Sequence, residues 1–154
     1  MLTRFLIPLV GLLLGGCALG PSDPYELGVG LAHKGGGYYI QLAGGCEYPE
    51  GTGVLVRDDA TGNTLWDATL RAGKSADLLL IGKSSQVISE KTPLESLASV
   101  DSISVLISDN KISWDNSFKL KSVGPSLNGG EIFDDKNISL AQLNQDSGKV
   151  GACT

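Results

Sequence analysis

Histidine is nearly absent: the 154 residues hold one, His33, together with three cysteines. So thin a supply of soft ligands leaves little for a metal site or a histidine-based catalytic triad. Aromatic residues make up only 6%, and no apolar run reaches the roughly 20 residues that a membrane-spanning helix needs. Positive charge is also scarce. A formal net charge of −5 and a pI near 4.7 argue against a nucleic-acid partner. What is plentiful is glycine, with 21 residues, about twice the usual share, which points to many turns and few long helices. Hydrophobic residues at 42% against charged residues at 19% are enough to bury a core, so global disorder is excluded. The length is that of one domain.

The N-terminus carries the most specific pattern. Arg4 and the α-amino group form a positive region, residues 5–14 an apolar one, and Leu14-Gly15-Gly16-Cys17 follows. An apolar residue, two small residues and a cysteine resemble the lipobox of bacterial lipoprotein signal peptides. That resemblance implies cleavage before Cys17, a diacylglyceryl group on its thiol and acylation of its freed amine. Two or three acyl chains anchor stably where one is marginal. The expected organisation is therefore a signal peptide over residues 1–16, a lipid anchor and tether over 17–26, and a β-domain over 27–154. A bacterial cell envelope, on its extracytoplasmic face, is the expected location. Ala18 stands where an Asp would signal inner-membrane retention in bacteria with two membranes.

With Cys17 acylated, Cys46 and Cys153 remain. An even pair in an oxidising compartment is expected to form a disulfide. Neither sits in a C-x-x-C motif, so a redox or metal role is the weaker reading.

Beyond the tether, short period-2 runs separated by turn clusters predict an all-β fold, an Ig-like two-sheet sandwich of about seven to nine strands with one or two very short helical turns. Tyr38, Ile40 and Leu42 alternate with Tyr39, Gln41 and Ala43. Val54 and Val56 lead into a turn at Asp58-Asp59-Ala60-Thr61-Gly62-Asn63, after which Trp66, Ala68 and Leu70 share a face; together these predict a hairpin. The apolar run at residues 77–81 reads as a central strand. Ile103, Val105 and Ile107 alternate with serines, and a turn at Asp109-Asn110 leads to Ile112, Trp114, Phe118 and Leu120. Capping-box spacing occurs at Thr92-Pro93-Leu94-Glu95 and again at Ser139-Leu140-Ala141-Gln142, each predicting a brief helical turn.

Two domain-level resemblances follow from these residues. Asp146-Ser147-Gly148, Val150 and Cys153 resemble the D-x-G-x-Y-x-C run of immunoglobulin domains, but Val150 replaces the tyrosine, the cysteine is one residue late, and no strand can follow it. Lipobox, short tether and the hairpin of Val54, Val56, Asp58, Thr61, Gly62, Leu65 and Trp66 look like the small exported β-sandwich lipoproteins common in actinobacteria. That family carries no established activity, so the resemblance implies fold and location and transfers no site.

No catalytic site emerges. The G-x-S-x-G elbow is missing, and His33, beside Lys34 and Gly35-Gly36-Gly37, reads as a solvated loop residue. Gly82-Lys83-Ser84 mimics the end of a P-loop, yet Asp77 stands where that loop needs glycine. Asp58 with Asp59, and Asp134 with Asp135, read as turn carboxylates capping backbone amides. Trp66 and Trp114 fall in phase with apolar neighbours and are expected in the core, whereas Tyr25, Tyr39 and Tyr48 are the candidates for exposed contacts. No cofactor and no metal is called for. The expectation is a non-enzymatic, lipid-anchored binding or accessory module whose partners are the membrane, through acylated Cys17, and an envelope or incoming protein. An envelope-defence lipoprotein, such as a phage-exclusion factor or lytic-enzyme inhibitor, is an alternative; a small carbohydrate-active or carbohydrate-binding protein is another.

Overall fold

A computed structural model describes residues 25–44, 47–74, 78–123, 131–132 and 138–146. In chain order the strands are β1 (Tyr25–Lys34), β2 (Gly37–Leu42), β3 (Glu47–Tyr48), β4 (Gly53–Asp58), β5 (Thr64–Leu70), β6 (Gly73–Lys74), β7 (Leu79–Leu80), β8 (Val87–Thr92), β9 (Ser102–Ser108), β10 (Ile112–Lys119), β11 (Glu131–Ile132) and β12 (Ile138–Ser139). A 3-10 turn at Leu120–Ser122 follows β10, and the helix α1 (Leu140–Asp146) follows β12. The fold is all-β, as the alternation predicts.

Eight strands form one curled sheet in the order β7-β2-β1-β10-β9-β4-β5-β8, with β3-β6 and β11-β12 as two-stranded ribbons. The layers of the expected sandwich are the two halves of this sheet, and β1 joins them. Its first part, Tyr25 to Gly28, runs parallel to β10, while Val29 to Lys34 pairs antiparallel with β2. Strands β4, β5, β8 and β9 lie in the order β9-β4-β5-β8, so that β9 returns to lie beside β4. Residues 93–101 make the long return from β8 to β9 across one end of the sheet.

The core follows the period-2 reading closely. Val54 and Val56, Trp66, Ala68 and Leu70, and Ile103, Val105 and Ile107 are all buried, and their alternate neighbours are half-buried or exposed. Val29, Leu31, Ile40 and Leu42 join them from the other half of the sheet in one continuous cluster. Trp114 ties the halves together: its Nε1–H donates to the Ala43 carbonyl at 2.8 Å, and Tyr48 meets its ring edge-on at 6.3 Å. Leu143 of α1 is buried in the same core.

Two expectations are corrected, and one strand lies where the alternation predicts none. The run at 77–81 supplies no central strand: β7 has two paired residues at the sheet edge, with Leu79 buried and Leu78 41% exposed. Residues 87–92, which show no alternation, form the opposite edge strand, and two register shifts against β5 blur its period. Thr92 ends that strand, and residues 93–96 are irregular, with no helix at the first capping box. The second box does precede a helix, α1. At the N-terminal side β1 begins at Tyr25, so the first paired residues fall within the segment 17–26.

Candidate functional site

The site is built on a hairpin. Lys34 pairs with Gly37, and between them Gly35 and Gly36 have φ of +58° and +81°. Two successive left-handed residues make the tight turn whose twist matches antiparallel strands, and only glycine adopts them without strain. The turn sets the register that puts His33 opposite Tyr38, with ring centroids 4.6 Å apart and planes inclined by 30°. His33 therefore belongs to β1 and not to a loop tip, because the tip is filled by glycine alone.

Next to this hairpin the chain turns after β7. The Ile81 N–H donates to the Tyr38 carbonyl at 2.9 Å. Gly82, with φ +77°, lies so close to the return connection that a Cβ there would stand 2.6 Å from Leu94 Cδ2. Leu94, Leu97 and Val100 rest partly buried on the core, while Glu95, Ser96, Ala98 and Ser99 face solvent. Short-range bonds hold this connection: the Ala98 N–H donates to Ser96 Oγ at 3.1 Å and the Val100 N–H to the Leu97 carbonyl at 3.1 Å. The Leu120 N–H donates to the Asp101 carbonyl at 2.9 Å, and the Lys121 ammonium pairs with the Asp101 carboxylate.

These pieces enclose a groove of about 820 Å³. One wall is the His33–Tyr39 hairpin, another Leu80 to Lys83, and the far side is the return connection with Leu120 and Lys121. Its charges balance, with Lys83 and Lys121 against Glu95 and Asp101. The hydrogen bond and the negative charge of Asp101 raise the Lys121 pKa above its ordinary value. A raised lysine pKa contributes below the ordinary value and is lost only as pH climbs through the raised one, so the Lys121 ammonium keeps its charge across the neutral range. Among the described residues no three His, Cys, Asp or Glu side chains gather as a metal site.

Of the residues singled out from sequence, Tyr39 lies in the groove wall, half-buried. Tyr25 is the first paired residue of β1, opposite Ile112 of β10. Tyr48 is no exposed contact: it is 1% exposed, and its hydroxyl donates to Gln86 Oε1 at 2.5 Å. Its ring fills the space over Gly73, where an added Cβ would meet the phenol, so the loop-like setting of Tyr48 in the sequence conceals a core position. Asp58 caps its own turn, Oδ1 accepting from the Ala60 N–H at 2.8 Å and Oδ2 from the Thr61 hydroxyl at 2.9 Å. Asp59 accepts from Ser117 Oγ at 3.5 Å. Cys17, Cys46, Cys153, Asp134 and Asp135 lie outside the described residues. Sequence reasoning missed the return connection and Gly82-Lys83 as groove walls; the glycine followed by lysine was the one signal there, and it resembled a phosphate loop.

No protein-family model, no curated protein and no solved structure matches this chain.

Proposed function

We propose that this chain is a lipid-anchored, non-catalytic binding module of a bacterial cell envelope, of the actinobacterial lipoprotein type. Acylated Cys17 would hold it to the extracytoplasmic face of the membrane, and the groove at the far end of the sheet would take the ligand. One observation carries this reading. β1 starts at Tyr25, eight residues after Cys17, and its penultimate residue, His33, lies in the groove wall. A tether of that length reaches at most about 29 Å, while a strand of ten residues spans about 33 Å, so the groove sits at the pole away from the anchor. All of its walls come from that pole: β2 and β9 begin there, and β1 and β10 end there. A module anchored in this way presents its groove to whatever lies beyond the bilayer. The Cys46–Cys153 disulfide is part of the same proposal, as a staple suited to an oxidising compartment.

The test is fractionation with metabolic palmitate labelling. The wild-type chain is expected in the membrane fraction, labelled and shortened by its signal peptide. Cys17→Ser is expected to be unlabelled, and either released or left as uncleaved precursor. Normal processing and labelling of Cys17→Ser would overturn the anchoring.

A further inference from the structure

We infer that the membrane-distal groove is a glycan-binding site whose ligand is a neutral, hydroxyl-rich oligosaccharide lying across the His33–Tyr38 ring pair. The inference deepens the binding-module reading and rests on it for the source of the ligand, an envelope polysaccharide. Three features of the groove select this chemistry.

The first is the aromatic wall. His33 and Tyr38, opposite each other on β1 and β2, stack with ring centroids 4.6 Å apart and planes inclined by 30°, and both half-buried rings line the groove. A pyranose ring offers an apolar C–H face to such a surface, and stacking removes that face from water at little conformational cost. Gly35, Gly36 and Gly37 leave the approach to the rings open, and a Cβ at Gly35 or Gly36 would meet nothing within 4 Å.

The second is charge. The two lysines lining the groove are matched by two carboxylates, and Lys121 is already neutralised by Asp101. A polyanion would meet Glu95 and Asp101, and a polycation Lys83 and Lys121, so neither gains a field of one sign. A neutral ligand meets no such opposition.

The third is the polar lining opposite the rings. Ser96 Oγ accepts from the Ala98 N–H, and a hydroxyl in that role retains an O–H to donate. Ser99 and the irregular backbone of residues 94–101 run alongside. Hydroxyls and peptide groups spread along a groove complement the alternating donors and acceptors of sugar hydroxyls. The volume, about 820 Å³, lies within the roughly 300–1,000 Å³ of small-ligand sites.

The experiment titrates the full-length chain, in a detergent without a sugar headgroup, with maltotriose, cellotriose and triacetylchitotriose to about 10 mM, a range suited to the roughly millimolar Kd of an open groove. Amide NMR reads the result. At least one trisaccharide is expected to shift amides of residues 33–39, 80–83 and 94–101, with a Kd unchanged by added salt because no net charge is involved. Tyr38→Ala is expected to weaken that Kd about tenfold and His33→Ala about threefold, while Leu106→Ser, on the outer face of β9, leaves it unchanged. Shift mapping on the wild-type chain decides the matter even if Tyr38→Ala fails to fold. Silence from all three sugars, shifts outside those residues, or a salt-sensitive protein or peptide ligand in the groove would overturn the inference. The titration does not depend on lipidation, so its failure and the failure of the anchoring reading are separable.

Discussion

Three large aromatic residues of the core, Trp66, Trp114 and Tyr48, carry a polar hydrogen, and each has an acceptor for it. Trp114 reaches a backbone carbonyl, Tyr48 reaches Gln86, and Trp66, wholly buried, donates its Nε1–H to Glu90 Oε1 at 2.7 Å. The last of these joins the core to an edge strand, because Glu90 is an exposed residue of β8. A bond to a carboxylate is stronger than one to a neutral acceptor, and a buried donor left without an acceptor costs about 1–3 kcal/mol. Glu90→Ala is therefore expected to lower stability by about 1–2 kcal/mol in urea unfolding followed by tryptophan fluorescence. Glu90→Gln keeps an acceptor oxygen and should recover about half of that loss. Equal losses for the two variants would mean that the bond contributes through side-chain bulk alone. That both Trp66 and Trp114 are core residues was legible from their phase with apolar neighbours. That Glu90 serves Trp66 was not, since 24 residues separate them and only the β5–β8 pairing brings them together.

At the scale of elements, the groove depends on how closely the turn after β7 approaches the return connection. Gly82 makes that approach possible twice over. Its φ of +77° is unfavourable for any residue with a Cβ, and the space a Cβ needs is already held by Leu94. Gly82→Ala is expected to destabilise the protein by about 2 kcal/mol, from left-handed strain and overpacking together. It should also push residues 94–97 outward, read as altered amide shifts confined to the groove. An unchanged melting temperature would show that Leu94 can move aside freely. Elements with alternating faces, such as β4, β5, β9 and β10, were readable because one face is buried and the other is not. Edge strand β8 escaped because its four middle residues are exposed and its two end residues only half-buried, so no face stands out. The run at 77–81 misled for the opposite reason: apolar content reports burial, and Leu79 and Ile81 are buried as the chain passes the sheet edge without extended pairing.

The described residues form one curled eight-stranded sheet and two short ribbons around one core, and the first and last described elements are held differently. The N-terminal strand β1 sits inside the sheet between β2 and β10, whereas α1, near the C-terminus, packs beside β1 after the β11-β12 ribbon. The proposed Cys46–Cys153 bridge would close a loop of about 100 residues, worth up to about 4.7 kcal/mol as lost freedom of the unfolded chain. If the two cysteines share a bond, Cys46→Ala and Cys153→Ala should lower the thermal midpoint equally, and the double variant should be no worse than either single one. Clearly unequal losses, or additive ones, would exclude the bridge.

By itself the sequence determined the fold class, the core residues of β4, β5, β9 and β10, the β4–β5 and β9–β10 hairpins and the expectation of a lipid anchor. All of these depend on local spacing: period-2 alternation selects which side chains leave water, turn residues select where strands reverse, and the expected lipobox is a short run of adjacent residues. The tertiary structure alone decided which strand pairs with which, that β1 bridges the two halves of the sheet, that Tyr48 is buried, and that His33, Tyr38, Gly82 and residues 94–101 meet in one groove. Those outcomes turn on contacts between residues distant in the chain. Their energy comes from closing the sheet around a shared core, and no local pattern records which partner a strand edge or a turn will find.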